Sequence, residues 1–240
     1  LFGQNFSIDG GKMKAGIFLV GTELLNGATI DTNSIYIAEE LNKYGIEIEF
    51  KMTVRDVMDE IVKALKYAKK NVDLVILTGG LGPTDDDITK EAMAKFLKKK
   101  LVVDENEKKE LLKKYKAYKN PNKTNFKEVE KPEGAISFKN DVGMAPAVYV
   151  DGLVAFPGFP NELKNMFPKF LKYYVKENNL KSQIYIKDII TYGIGESVLE
   201  TTVKDLFTEG DIFYEFLVKD YGTLIRLQTK IENKKNVAKI

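Results

Sequence analysis

The apolar positions of the chain fall into two rhythms. Between residues 13 and 176, short runs of aliphatic and β-branched side chains alternate with longer stretches in which apolar residues recur every three or four positions. The first rhythm predicts buried strands and the second amphipathic helices. Residues 16–20 predict the first strand, and 32–43 a helix with Ile35, Ile37, Ala38 and Leu41 inward and Asp31 as its cap. Residues 46–54 alternate as a strand, 58–70 form a helix on Ile61, Val62 and Leu65, and 74–77 are a short apolar strand. A glycine-rich loop then leads into a helix over about 88–97. Strand–helix alternation at this spacing predicts parallel βαβ units in a three-layer α/β sheet.

The pattern continues less regularly. Residues 105–118 predict a Lys-rich helix whose charges form a solvated face, and 119–134 a polar loop with Pro121 and Pro132. Residues 147–150 and 153–156 read as paired strands turning at Asp151-Gly152, and 161–176 as a helix entered through Pro157-Gly158-Phe159-Pro160. A linker over 176–179 precedes a change of pattern: strand 183–191, helix 197–207, strands 211–218 and 223–230, and the start of a helix at 236–240. The expected organisation is a tag remnant or frayed terminus over 1–12, a domain over 13–178, and a small α+β unit over 179–240 that looks cut short.

Composition then narrows the chemistry. The 240 residues contain no Cys, no His and no Trp. Thiolate nucleophiles, imidazole bases, Ser-His-Asp triads and His- or Cys-ligated metals are excluded. Catalysis is left to carboxylates, Lys, hydroxyls, backbone amides or an oxygen-bound metal. Arg55 and Arg226 are the only arginines, so phosphate would fall to Lys or backbone N–H groups. The net charge of +2, from 37 basic and 35 acidic residues, names neither nucleic acid nor an anionic membrane as partner. No apolar run approaches the ~20 residues that span a bilayer, and a cytoplasmic location is expected.

Three strand-to-helix junctions concentrate unusual residues. The strongest is Thr78-Gly79-Gly80-Leu81-Gly82-Pro83-Thr84-Asp85-Asp86-Asp87, with Thr89 opening the next helix. Its glycines let backbone amides approach a ligand, and the helix start favours an anion. It lacks the Gly-Lys-Ser/Thr of a P-loop and the third glycine of a dinucleotide fingerprint. Asp85, Asp86 and Asp87 read either as helix caps or, being three, as ligands for a hard cation such as Mg²⁺. The first strand ends in Gly21-Thr22-Glu23-Leu24-Leu25, followed by Asp31-Thr32-Asn33-Ser34, where Asp31 and Asn33 are either helix-start residues or ligand contacts. Pro157, Gly158 and Glu162 mark the third junction. In an open α/β sheet all three emerge on one edge.

Together these segments resemble the CinA family, the competence/damage-inducible proteins whose N-terminal domain belongs to the molybdopterin-binding superfamily. Gly193-Ile194-Gly195-Glu196-Ser197 resembles the start of the KH-like domain that follows in that family. The resemblance implies a three-layer α/β/α molybdopterin-binding-like fold with a mostly parallel sheet, then a small α+β KH-like domain. It implies a nucleotide or pterin ligand, a homodimer, and metal-dependent hydrolysis of ADP-ribose to AMP and ribose 5-phosphate. On that reading Asp86 and Asp87 hold Mg²⁺, Mn²⁺ or Co²⁺, and Lys127 neutralises the leaving phosphate. Thr78, Gly79, Gly80, Gly82 and Thr84 cradle the diphosphate. Gly21, Glu23, Asp31, Asn33, Asn125, Pro157, Gly158 and Glu162 complete the binding site. Two departures stand out: the family's common Asn-x-Lys-Gln-Ala appears as Asn125-Phe126-Lys127-Glu128-Val129, and its Gly-x-Ala-Pro-Gly ends in Ala147. Longer members carry a nicotinamide mononucleotide deamidase domain. None follows here, so deamidation is not expected of this chain. The small domain lacks the Gly-x-x-Gly clamp of an RNA-binding KH module, which leaves it packing or dimerisation. Two rival functions remain: adenylyl transfer to molybdopterin, and a non-catalytic module regulating a deamidase partner.

Overall fold

The computed structural model describes residues 13–117, 123–181, 184–207 and 212–239. They form two compact units, one of Met13–Glu39 with Ile46–Asn179, the other taking in Leu180–Ile240. In chain order the stretch Met13–Asn179 contains β1 (Lys14–Val20), α1 (Thr22–Leu25), α2 (Asn33–Asn42), β2 (Glu47–Val54), α3 (Met58–Asn71), β3 (Leu74–Thr78) and α4 (Thr89–Leu97). It continues with β4 (Leu101–Val103), α5 (Glu105–Ala117), a 3₁₀ segment (Lys123–Val129), β5 (Glu130–Pro132), β6 (Ile136–Phe138), β7 (Ala147–Val150), β8 (Leu153–Phe156) and α6 (Pro160–Glu177).

The main sheet has the order β2-β1-β3-β8-β7-β6. β2, β1, β3 and β8 are parallel neighbours, and β7 and β6 add on antiparallel. All of β3 and nearly all of β1 are buried, which is why they read as unbroken apolar runs. Phe18, Val20, Val75 and Leu77 point to one face, where they cluster with Ile61 and Leu65 of α3 and Met93 of α4. On the other side Phe156 packs on Phe167 and Phe170 of α6, with ring centroids 5.5 and 5.7 Å apart. The three-layer expectation is met. The chain steps from β1 outward to β2, then crosses back over β1 to β3. The carboxyl ends of β1 and β3 therefore flank the point where strand order reverses, the place where open α/β sheets form a crevice.

Two local readings need correction. Ile35 is exposed, because the buried stripe of α2 runs Asn33, Ile37, Leu41 and its first turn faces polar loop atoms. The stretch 119–134 is not all loop: it contains the 3₁₀ segment and β5, which pairs antiparallel with β4. Strands of three residues such as Glu130-Lys131-Pro132 show no alternation to read, and β4 and β6 escaped for the same reason.

The second unit contains β9 (Ile184–Thr191), α7 (Glu196–Val203), a 3₁₀ turn (Lys204–Phe207), β10 (Phe213–Lys219), β11 (Gly222–Lys230) and α8 (Lys234–Lys239). Its antiparallel sheet has the order β10-β11-β9 over a core of Leu199, Ile225, Leu227 and Val237. The expected α+β character is present; residues 183 and 211, at the expected strand ends, lie outside the described residues. Arg226 grips its cross-strand partner Asp188 through Nε at 2.9 Å and a terminal nitrogen at 2.8 Å. Among the described residues, no helix is long and apolar enough to cross a membrane.

Candidate functional site

The loop after β3 is shaped by glycine. Gly79 has φ +105°, and a Cβ there would stand 2.0 Å from the Val20 carbonyl oxygen at the end of β1. Its N–H donates to Phe156 O of β8 at 2.9 Å, so the residue is wedged between two strands. Gly80 has φ +69°, and a Cβ there would meet the Thr89 hydroxyl at 2.3 Å. Thr89 Oγ1 donates to Gly79 O at 2.8 Å and Thr89 N–H to Gly80 O at 3.1 Å, tying the far end of the loop to its start. The amides of Gly80, Leu81 and Gly82 find no protein acceptor among the described residues.

The aspartates do not cap α4. Ile88 occupies the cap position and makes no side-chain cap bond. Asp86 Oδ1 and Asp87 Oδ2 instead share the Thr84 hydroxyl, each at 2.5 Å, and Asp87 Oδ2 also accepts Thr84 N–H at 3.0 Å. The Thr84 hydroxyl beside Asp86 holds its carboxyl below the usual carboxylate range. Lys127 Nζ donates to Thr84 O at 2.7 Å and pairs with Glu91 at 3.3 Å. The ammonium thus braces the loop from behind, and Lys127 is not among the residues that line the cleft. The side chain of Asn125 lies outside the described residues.

A cleft of about 680 Å³ opens over this loop. Gly21 and Glu23, the loop from Gly79 to Asp87, Gly143–Ala145, and Pro157–Glu162 supply most of its walls. Among the described residues, its lining holds six acidic side chains, Glu23, Asp56, Asp86, Asp87, Glu128 and Glu162, and no Lys or Arg. Glu162 accepts from Asn140 Nδ2 at 2.7 Å, and Gly143 leaves it room, because a Cβ there would stand 2.3 Å from its carboxylate. Burial pushes the Glu162 carboxyl up, and Asn140 and Lys114 offset this only in part. Burial also raises Glu128, whose Oε2 accepts the Tyr115 hydroxyl at 2.7 Å.

Beside the cleft lies a recess of about 70 Å³ with Asp31, Asn33 and Thr78 in its walls. Asp31 takes its helix-start role: Oδ1 accepts Ser34 N–H at 2.9 Å and Oδ2 accepts the Ser34 hydroxyl. Asn33 Nδ2 donates to Thr78 Oγ1 at 2.9 Å and Gly158 O at 2.7 Å, and Thr78 in turn donates to Pro157 O at 3.2 Å. Asn33 therefore bolts the third junction to the first.

Sequence reasoning missed several contributors. Asp56 receives Thr22 N–H at 2.9 Å and the Thr22 hydroxyl at 3.2 Å, fixing the turn that presents Glu23. Asn140 is buried and organises the 140–145 loop, accepting the amides of Val142 and Gly143 and donating to Ala145 O. Neither sits in a motif. Lys90 was also unseen, although a lone Lys beside the Thr89 helix start on an otherwise apolar face was a usable signal. It is buried, with Nζ donating to Lys127 O at 2.6 Å and Glu128 O at 2.9 Å. Burial pushes its ammonium down to about 8. In the unfolded chain the group titrates near 10.5, so between those values the unfolded state binds more protons. Stability should therefore rise as pH increases from 8 toward 10.5, by on the order of 3 kcal/mol at most. Parallel urea melts of the wild type and Lys90→Met check this: the variant should lack the rise, whatever its absolute stability.

Residues 16–177 match the protein family described as "Probable molybdopterin binding domain". A crystal structure of the protein CinA from Thermoplasma acidophilum superposes with a TM-score of 0.62 at 32% identity, covering 67% of this chain and 98% of that one. The chain belongs to the CinA family. A CinA-like protein from Fusobacterium nucleatum subsp. nucleatum is 97% identical over 228 residues, covering 95% of this chain. A competence-damage inducible protein from Clostridium beijerinckii is 37% identical over 238 residues, again covering 95%. This CinA-family chain spans 57% of the length of each of those two relatives. Of the two departures from the family pattern, Glu128 enters the cleft lining, whereas Ala147 is buried in β7 and is not among the lining residues.

Proposed function

We propose that this cleft binds a nucleoside diphosphate sugar of the ADP-ribose type and hydrolyses its diphosphate with the help of a divalent cation. One observation carries the reading: among the described residues, three acceptor-free amides, of Gly80, Leu81 and Gly82, stand beside a lining with six carboxylates and no basic side chain. Free amides in a glycine loop select an anion. The carboxylates repel one. A phosphate ligand reconciles the two by entering with a cation between it and the acids.

The donor set suits such an ion. Among the described residues, no group of three or more acids is placed to cage a metal. Asp86 and Asp87 each keep one carboxylate oxygen outside their bonds to Thr84. One or two carboxylates plus substrate phosphates are how Mg²⁺ is commonly held, and Mn²⁺ or Co²⁺ would accept the same donors. When bound, the ion polarises the phosphoryl oxygens. Asp86 and Asp87 hold it, and the loop amides bind the diphosphate. Lys127 acts through Thr84, keeping both carboxylates in register. Glu162, raised by burial, accepts a proton from water as the water oxygen bonds to phosphorus and the P–O–P bridge breaks. The products are AMP and ribose 5-phosphate.

Incubating the protein with ADP-ribose and Mg²⁺, Mn²⁺ or Co²⁺, with products resolved by chromatography, tests the reading. Equal amounts of AMP and ribose 5-phosphate should appear with metal and vanish with chelator. ADP-ribose that raises the melting temperature without turnover would replace hydrolysis by a binding role. Transfer of AMP from ATP to molybdopterin would replace it by adenylylation.

A further inference from the structure

The acids that line the cleft have basic counterparts just behind its walls. Three wall segments are each held, through backbone carbonyls, by an ammonium one hydrogen bond away. Lys127 Nζ donates to Thr84 O at 2.7 Å. Lys90, from α4, donates to Lys127 O at 2.6 Å and Glu128 O at 2.9 Å. Lys114, from α5, donates to Asn140 O at 2.5 Å and Gly143 O at 2.6 Å. Thr84, Glu128 and Gly143 line the cleft, and the three lysines stand behind them.

Two of these ammoniums are not neutralised by a direct ion pair. Lys127 pairs with Glu91 at 3.3 Å. Among the described residues, Lys90 and Lys114 bond only to carbonyl oxygens, which cancel no net charge. The acids of α5 leave Lys114 in that state. Glu110 is taken by Lys113 at 2.6 Å and Lys139 at 3.3 Å, and Glu107 feels Lys114 without pairing with it. The charge of Lys114 also reaches the cleft: burial raises the Glu162 carboxyl, and Asn140 and then Lys114 oppose that rise. Burial likewise raises Glu128, with Tyr115 and then Lys90 in opposition, and Glu128 in turn feels Glu162.

The wall behind which Lys114 stands has no regular structure of its own, since it joins β6 to β7. Its two bonds bridge positions 140 and 143. Asn140 spans the same stretch from within and donates to Glu162 Oε2 at 2.7 Å. The ammonium therefore sets the loop, the loop sets Asn140, and Asn140 sets Glu162. We infer that Lys114 is a positioning residue of this cleft, fixing the 140–143 wall and Glu162 while supplying positive charge that lets an acid-lined cleft admit an anion. Lys90 plays the same part behind Glu128. The inference rests on the diphosphate reading for the anion alone. From behind the wall, such a charge raises the potential throughout the cleft without occupying a ligand's place.

The variants Lys114→Met, Lys114→Gln and Lys114→Arg test the inference with two readouts. The first is calorimetry with inorganic pyrophosphate in Mg²⁺. Met and Gln at this position should each weaken binding by about tenfold, and Arg should stay within about threefold of the wild type. The second is carbon-13 NMR of the Glu162 carboxyl, assigned with Glu162→Gln. Its titration should move to higher pH in the Met and Gln variants and return with Arg. Lys114 is only partly buried, and Gln keeps a donor for the two carbonyls if Met disturbs the fold. Wild-type pyrophosphate affinity in Lys114→Gln would show that the donor matters and the charge does not, and would overturn the inference. An unmoved Glu162 titration in that variant would overturn it as well. If the wild type binds no pyrophosphate, the diphosphate reading falls, and the Glu162 titration still decides the role of Lys114.

Discussion

Alanine at position 86 is expected to lower metal-dependent release of AMP from ADP-ribose by at least about 100-fold, the scale of losing a charge-positioning group in a reaction centre. The melting temperature should hardly move. Asp86 is at the surface, and its bond to the Thr84 hydroxyl is duplicated by Asp87. Asp87 is the less clean probe, because it also accepts Thr84 N–H and stands 2.6 Å from where a Cβ on Gly82 would be. Initial rates over a Mg²⁺ titration and a thermal melt, run on the same preparation, separate the outcomes. Unchanged turnover would remove Asp86 from the cation site. Lost turnover with a lowered melting temperature would instead mean that it holds the loop.

The largest effect on stability should come from Gly79→Ala. The added methyl would meet the Val20 carbonyl oxygen at 2.0 Å, and φ +105° is strained for any side chain. Neither contact can relax cheaply, because Val20 and Gly79 continue adjacent strands at the centre of a buried parallel sheet. A loss of at least about 3 kcal/mol is expected, or roughly 6–12 °C in melting temperature for a domain of this size. Gly27→Ala is a useful comparison. Gly27 also has positive φ, but nothing lies within 4 Å of its missing Cβ. Its cost should be confined to backbone strain of about 1–2 kcal/mol. Equal losses at both positions would show that the clash with Val20 O is relieved by strand movement.

What the sequence made visible follows from burial. β1, β3, β7, β8 and the apolar faces of α3 and α6 were legible because their patterns exist to fill the core. The junctions after β1, β3 and β8 were legible because glycine, proline and acids in such concentration are rarely needed for turning alone. The site's scaffolding was not. Asp56, Asn140 and Lys90 each make a bond to a residue 22–38 positions away in the chain, such as Asp56 to Thr22, Asn140 to Glu162 and Lys90 to Glu128. No local pattern marks those partners. The reading of Asp85–Asp87 as helix caps failed for a related reason. Capping was the local rule, but Thr84 sits closer and takes both Asp86 and Asp87. Ile35 failed because the first turn of α2 is packed for the hydrogen bonds of Asn33 and Ser34, so its apolar stripe begins a turn later.

Thr89 closes the loop that began at Gly79 by bonding both Gly79 O and Gly80 O. With Thr84 tethered to Asp87 within it and Lys127 bracing it from outside, the segment is a stapled ring. Its ordering was completed when the protein folded, so a ligand meets a receptor with little freedom left to surrender. Capture of the phosphates by this loop should therefore resemble a key entering a cut lock.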